Sequence, residues 1–308
     1  MFFGKKSWDP KGKHCYITGG SQGLGLAEAI LLTKRGAHVS IVARDEKKLS
    51  AALSELEKHR QSPDQILASY SFPLNEAAAS AAALDAAAAR HGGRTPDALF
   101  LCAGSSRPGF FIEQDEKSLR EQMDGVYWVQ AFTALAAVKR EVKPSKIVFV
   151  SSILAMFSFV GYTPYTPAKF AIRGLAETLR SELILYGVDV HIYFPATILS
   201  PGYEDENKCK PQITLKLEET DDGITPEVSA EHLFNGVRKG QFHITGEILS
   251  DLFRVGARGA SPWNNVFMDL IYGFIGNIGL VIWRRGVDST IRGHTEEHKK
   301  YLADKNIQ

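Results

Sequence analysis

Ser152, Tyr165 and Lys169 are the residues whose types and spacing could carry out proton chemistry. In Tyr165-Thr166-Pro167-Ala168-Lys169 the phenol and the ammonium are one helical turn apart and share a face. A free tyrosine ionises near pH ~10, too high for ready proton exchange at neutral pH. A neighbouring ammonium favours the phenolate and lowers that value. A carbonyl that accepts hydride becomes an alkoxide and needs a proton, which a hydroxyl acid beside its oxygen can supply. Ser152 follows the apolar run Ile147–Val150 and could hydrogen-bond the same oxygen. Thr163 is the candidate N-cap of the helix, with Pro164 and Pro167 in its first turn, where proline is tolerated. Tyr-x-x-x-Lys alone is a common accident on helices, so its weight comes from what lies upstream.

The first apolar run, His14–Ile17, opens into Thr18-Gly19-Gly20-Ser21-Gln22-Gly23-Leu24-Gly25. Glycines let a backbone approach a pyrophosphate, and the helix that follows points free N–H groups and its positive end at that charge. A glycine cluster by itself marks only a tight turn. This one follows the first predicted strand and opens a helix, where a doubly wound sheet holds a dinucleotide. Gly19, Ser21, Gln22, Gly23, Leu24 and Gly25 are therefore candidate cofactor contacts. The second predicted strand ends in Val42-Ala43-Arg44, where an acidic residue would have bonded a ribose 2′-hydroxyl. Arg44 offers a planar cation suited to a 2′-phosphate, and Lys48, one turn on, adds a second charge. The pair selects NADPH, although Lys48 also reads as a solvated charge at a helix start. The Lys169 ammonium could reach the hydroxyls of the nicotinamide ribose.

Strands must hold these groups together. Short β-branched or aromatic runs occur at His14–Ile17, His38–Val42, Gln65–Tyr70, Ala98–Cys102, Lys146–Val150 and Val188–Phe194. Helical composition fills Gly23–Arg35, Asp45–Arg60, Glu76–Arg90, Lys117–Glu141 and Pro164–Tyr186. Strands spaced by helices pair in parallel and are covered on both faces, giving an α/β fold. The alanine-rich Glu76–Arg90 reads as a helix, because alanine loses least on helix formation. With 308 residues, 44% of them hydrophobic, the chain can bury a sizeable core. Residues 1–250 read as one catalytic domain with a lid around 198–225, and residues 251–308 as an appendage. Lysine plus arginine (36) nearly balances aspartate plus glutamate (35), which leaves no electrostatic case for nucleic acid as a partner. Cys15, Cys102 and Cys209 are scattered without metal-ligand spacing, so no metal site is expected and a reducing compartment fits. The stretch Met1–Lys13 lacks the apolar core of a signal peptide.

The glycine turn, the serine and Tyr-x-x-x-Lys together resemble the short-chain dehydrogenase/reductase family, over roughly Gly12 to Thr245. The resemblance implies a Rossmann-like doubly wound parallel sheet and a catalytic set of Ser152, Tyr165 and Lys169. In Pro195-Ala196-Thr197-Ile198-Leu199-Ser200 it implies that Ile198 meets the cofactor carboxamide through its backbone, with Ser200 close by. A homo-oligomer, dimer or tetramer, is expected. Three positions depart from the family pattern. Its Asn-Asn-Ala-Gly after the fourth strand is Leu101-Cys102-Ala103-Gly104 here, where Ala103 and Gly104 still allow close passage by the adenine-side ribose. The asparagine that anchors a proton-relay water falls at Val126, which cannot bond water. The acidic partner of the adenine amine is replaced within Phe72-Pro73-Leu74, leaving Leu74 as the contact.

Between the serine and the tyrosine runs Ile153-Leu154-Ala155-Met156-Phe157-Ser158-Phe159-Val160, which reads either as core or as the wall of an apolar substrate channel. Pro201–Asp222 is long and charged, as a mobile lid would be, and its Glu204-Asp205-Glu206 could attract a cationic head group. Phe267–Trp283 is apolar apart from Asp269 and Asn277 and is followed by Arg284-Arg285. It is short for a simple crossing of about 20 residues, so it reads as membrane-dipping, or else as packed on the core or a second copy. Gly273, Gly276 and Gly279 give it a smooth face for close packing. The stretches TGGSQGLG, VARDEKKL and AKFAIRGLAETLRSEL resemble the 3-ketodihydrosphingosine reductase branch of the family. That resemblance implies a long-chain amino ketone (3-ketosphinganine) as substrate and the cytosolic face of the endoplasmic reticulum membrane. A reductase of another lipid carbonyl would share every catalytic residue, and a non-enzymatic NADPH-binding scaffold would not need them. Gly19-Gly20-Ser21-Gln22-Gly23 formally matches a hydrolase's Gly-x-Ser-x-Gly, but it follows the first strand rather than a central one.

Overall fold

The six apolar runs form strands β1 (His14–Thr18), β2 (His38–Ala43), β3 (Leu67–Ser71), β4 (Ala98–Leu101), β5 (Lys146–Val150) and β6 (Asp189–Tyr193). A seventh, β7 (His243–Ile244), is too short to have been seen as a hydrophobic pattern. The computed structural model describes residues 7–307, so the first residues of the N-terminal stretch weighed above lie outside it. All pairings are parallel, in the order β3-β2-β1-β4-β5-β6-β7. The strand order reverses between β1 and β4, which opens a crevice at their carboxyl ends, where such sheets bind ligands. β1, β4 and β5 are buried along their whole length, which is why they read as near-continuous apolar runs rather than as alternating ones.

The helices in chain order begin with α1 (Gly23–Lys34), α2 (Glu46–Lys58), α3 (Ala77–Ala89), α4 (Glu116–Met123), α5 (Val129–Val138) and α6 (Tyr165–Glu182). They continue with α7 (Pro201–Asn207), α8 (Gln212–Glu218), α9 (Pro226–Arg238), α10 (Ile248–Ala257), α11 (Val266–Gly293) and α12 (Thr295–Asp304). α1, α2 and α9 cover one face of the sheet, while α3, α5 and α6 cover the other.

Three segments differ from the sequence expectation. The helix expected over Lys117–Glu141 is divided into α4 and α5 by a π-helical turn, Asp124–Trp128, which contains Gly125 and the buried Val126. Such turns interrupt the regular hydrogen-bond ladder and bend the helix locally. The segment Pro201–Asp222, expected as a mobile lid, holds two short helices, α7 and α8, with Ser200 capping the first. Thr163 does not cap α6. The carbonyl of Tyr162 instead accepts from the N–H groups of Tyr165 (3.1 Å) and Thr166 (2.8 Å).

At the base of the sheet, three histidines from separate elements meet. The His14 and His91 rings stack at 3.6 Å, and His38 meets His91 edge-on at 5.4 Å. Burial, aided by the neighbouring cations, pulls the His14 pKa down to about 3, while its Nε2 shares a hydrogen bond with Ser40 (2.8 Å). The unfolded chain takes up this proton below its ordinary value near ~6.5, and the native state does not. Stability is therefore full above that value and falls as the pH drops towards 3. Between pH 7 and 5 the urea unfolding free energy should fall by ~2 kcal/mol through this residue. In His14→Gln that part of the slope should vanish; an unchanged slope would place the acid sensitivity elsewhere.

Candidate active site

The glycine turn after β1 is held closed by contacts that exclude a side chain. Gly19 has φ +67°, and a Cβ there would lie 2.9 Å from the Ala103 backbone at the end of β4. A Cβ on Gly25 would lie 2.4 Å from the Gly19 carbonyl oxygen. The Ala103 N–H donates to Thr18 Oγ1 (3.1 Å), tying the ends of β1 and β4 together. The N-terminus of α1 has no side-chain cap, whereas Asp45, Ser200 and Thr225 cap α2, α7 and α9. Its first N–H groups remain available to an anion, which fits the pyrophosphate of a dinucleotide.

Around this turn stand the other predicted contacts. Lys48 reaches back to donate from Nζ to Gln22 Oε1 (2.8 Å), so it lies over the turn and is not simply a solvated charge. Arg44 is exposed at the tip of β2, and its side chain has no partner among the described residues. The Ser71 hydroxyl donates to its carbonyl (2.9 Å) and holds the strand tip in place. Ser21 is partly exposed in the turn, while the Leu24 side chain is turned into the core, leaving only its backbone to meet a ligand. Leu74 is also buried, and its carbonyl accepts from Ser80 Oγ (2.9 Å). Ser200 stands over Gly23, where a Cβ would lie 3.4 Å from the serine Cβ. Ile198 pairs with Ile224 in an isolated parallel bridge, which fixes the loop after β6 beside the same crevice.

Ser152, Tyr165 and Lys169 come together where β5 ends. The two serines have different surroundings. Ser151 Oγ is buried and donates to the Lys169 carbonyl (2.9 Å), whereas Ser152 is partly exposed and accepts from the Leu154 N–H (3.2 Å). Lys169 is buried, donates from Nζ to the Val150 carbonyl (3.1 Å) and lies 5.4 Å from the centre of the Tyr165 ring. A Cβ on Gly104 would lie 3.8 Å from that ammonium, so β4 and β5 bracket it. Burial pulls the Lys169 pKa down to about 7. For Tyr165, the outcome is opposite to the sequence expectation of a lowered value. Burial and, after it, the charge of Glu206 push the phenol well above its ordinary range, with the Ser152 hydroxyl opposing through a hydrogen bond. The lysine does not offset the loss of water around the ring.

Several residues around the site were not anticipated. Gln130 is fully buried; its Nε2 donates to the Val150 carbonyl (2.8 Å) and its Oε1 accepts from the Val150 N–H (3.3 Å). A lone amide in the apolar run Val129–Val138 was the available signal. Tyr162, whose ring lies 6.0 Å from that of Tyr165, has its hydroxyl within donating reach of Glu206 Oε1 (2.6 Å) and Glu218 Oε1 (2.8 Å), one proton serving the pair. Lys210, with its side chain fully enclosed, bridges the same two carboxylates at 2.9 and 2.7 Å. Of the acidic run in the lid, Glu206 thus faces the site, whereas Asp205 pairs with Lys208 at the surface (2.5 Å). In the apolar wall, Leu154 and Ala155 join the core, while Phe157 and Phe159 pack against Trp283 of α11 at 5.2 and 6.5 Å.

A crevice with an uncapped helix start, a glycine turn and a serine, a tyrosine and a buried lysine at the end of β5 defines a class of protein. Residues 13–210 match the short chain dehydrogenase family, and the chain belongs to it. Within it, the chain groups with the 3-ketodihydrosphingosine reductases. It is 44% identical to one from Cryptococcus neoformans over 98% of this chain and 91% of that protein. It is 37% identical to a PIGF/3-ketodihydrosphingosine reductase fusion protein of Schizosaccharomyces pombe, over 94% of this chain and 59% of the fusion. Among solved structures, a short-chain dehydrogenase/reductase from Mycobacterium ulcerans shares the fold, with a TM-score of 0.67 at 23% identity over 78% of this chain and 90% of that one.

Gly25→Ala should force the turn apart and raise the dissociation constant for NADPH at least ~10-fold, or about 1.4 kcal/mol, in a fluorescence titration. The thermal melt should move much less. Unaltered affinity would show that the pyrophosphate lies elsewhere.

Proposed function

We propose that this chain reduces the ketone of 3-ketodihydrosphingosine to the alcohol of dihydrosphingosine with NADPH, as a step of sphingolipid synthesis. The observation that carries this reading is the match along almost the whole chain to reductases named for that substrate. Glycine turn, Arg44 and Lys48 would hold the cofactor, with the two cations at the 2′-phosphate. Bound NADPH supplies the hydride that forms the new C–H bond.

The chain's own residues handle the oxygen and its proton. Tyr165, raised by burial and by Glu206, stays protonated through the neutral range and so acts as a donor, which is what reduction needs. Its proton goes to the former carbonyl oxygen, completing the alcohol. The Ser152 hydroxyl orients that oxygen. Lys169, poised near neutrality and bonded to the Val150 carbonyl, steadies the phenolate left behind and takes part in its reprotonation. Val126 cannot anchor a relay water through its side chain, so reprotonation runs without the family's usual asparagine. The amine next to the substrate ketone has a counter-charge in Glu206, whose field already reaches Tyr165.

An apolar helix supports a membrane setting. α11 contains a window of mean hydropathy 1.7 of which only 11% is buried. With the catalytic body on the cytosolic face of the endoplasmic reticulum, such a helix would bring the enzyme to its lipid substrate.

The purified full chain should oxidise NADPH when 3-ketodihydrosphingosine is added. Tyr165→Phe should lower that rate at least ~10³-fold while NADPH still binds. No turnover of this ketone, together with good turnover of a steroid or acyl ketone, would move the chain to another lipid reductase. Arg44→Asp should raise the Michaelis constant for NADPH ~10-fold or more and improve use of NADH. An unchanged preference would mean that another residue reads the phosphate.

A further inference from the structure

Helix α11 spans about 42 Å at ~1.5 Å per residue, long enough to cross a bilayer. Its attachments to the catalytic body argue for a different placement. Near its start, Asp269 is 1% exposed and accepts from Nη1 (3.1 Å) and Nη2 (2.6 Å) of Arg254 on α10, itself 1% exposed. Asn264, just before the helix, donates to the His243 carbonyl on β7 (2.7 Å). Gly273 and Gly276 face α10, where a Cβ would lie 3.4 Å from Val255 and 3.5 Å from the Leu252 carbonyl oxygen. At the far end of the apolar stretch, Trp283 packs on Phe157 and Phe253, and Arg284 donates to the Ser158 carbonyl (3.2 Å). The chain then turns back through α12, where Tyr301 donates to Glu113 (2.6 Å) and His298 meets Phe110 (4.4 Å). Both ends of the apolar helix are therefore tied to the same body.

The outward face between those ties is uncovered: Phe267, Leu270, Phe274, Ile278 and Ile282 are 56–73% exposed. Asp269, the one acidic residue of Val266–Trp283, is turned inward to its arginine. Cations edge both ends of this face. Arg258 stacks on the half-exposed Trp263 (4.0 Å) before the helix, and Arg284 and Arg285 stand exposed after it. An apolar strip with tryptophan and arginine at its margins matches the boundary between acyl chains and anionic head groups.

We propose that α11, backed by α10, lies in the plane of one leaflet as a foot and does not cross the bilayer. This rests on the membrane reading of α11 given above. Crossing would require one end to leave the body: release of the near end would part Asp269 from Arg254 and leave that guanidinium with Asp251 alone, and release of the far end would undo the contacts of Trp283 and Arg284. Seated in the plane, the foot sets the seam of Phe157, Phe159 and Trp283 against the lipid. That seam continues the wall that runs from Ser152 to Tyr165, so a long-chain ketone enters sideways from the leaflet.

The test uses the full chain with exposed Cys209 replaced by Ser, in sealed microsomes from a eukaryotic host. Asn265→Cys and Ser289→Cys lie on either side of the apolar strip. Both should react with a membrane-impermeant maleimide from the cytosolic side. On phosphatidylcholine–phosphatidylserine vesicles, a fluorophore at Ile278→Cys should be quenched more strongly by shallow than by deep lipid-borne quenchers. Protection of one end with deep quenching at Ile278 would mean a true span, overturning the in-plane placement but not the membrane reading. A chain that neither sediments with microsomes nor binds vesicles would remove the membrane reading itself. Protection of Ile278→Cys in solution, together with a dimer mass, would assign the face to a second copy. For sideways entry, Phe274→Ser with Ile278→Ser should lower turnover of vesicle-borne ketone roughly fivefold or more and spare a short-chain soluble ketone. Equal losses on both substrates would refute that route.

Discussion

The hydrogen bond from the Lys169 ammonium to the Val150 carbonyl is the contact around which the site is organised. A buried cation must be satisfied by nearby acceptors, and the carboxyl end of a central strand offers one. Gln130 holds the same strand end by bonding both the N–H and the carbonyl of Val150. Ser151 ties the backbone of Lys169 to the same place. The helix carrying Tyr165 is thereby pinned to the sheet at its first turn. Because the sheet is parallel, β1 and β4 deliver the glycine turn to the same edge. A shift in any of these strands would move the ammonium away from its carbonyl and separate Ser152, Tyr165 and Lys169 from the glycine turn.

The segment of α7 and α8 is coupled to this centre by charge. The Tyr162 hydroxyl, next to the start of α6, lies between the carboxylates of Glu206 and Glu218, and Lys210 bridges the same pair. The two partly exposed carboxylates outnumber the one lysine, and the charge of Glu206 contributes to keeping Tyr165 protonated. Ion networks of this kind are costly to desolvate and are more readily understood as setting position and charge than as a source of net stability. Here the position they set is that of α7 and α8 over the phenol.

Class and chemistry were legible in the sequence because they depend on local spacing. The turn from Thr18 to Gly25, the interval between Tyr165 and Lys169, and five of the helical segments are short-range patterns whose geometry follows from a strand or helix period. Arg44 and Lys48 were visible for the same reason, and α11 was visible by composition. Even so, the sequence left open whether the apolar segment was a span, a surface element or core. It also carried no sign of the two-residue β7, which exists only because the edge of β6 was available to pair.

Tertiary structure decided the rest, through contacts between residues distant in the chain. The break of the long helix at Asp124–Trp128, the different surroundings of Ser151 and Ser152, and the cap of α6 by a carbonyl in place of Thr163 all depend on neighbours brought by other elements. Protonation was the largest difference. Spacing alone places an ammonium beside a phenol and predicts a lowered tyrosine pKa. Folding removes water from both groups and brings Glu206 from the lid, so the phenol is raised and the lysine is lowered. Sequence by itself determined which residues meet within one helical turn. Only the folded chain determined how much solvent and charge surround them, because burial is a property of the whole assembly.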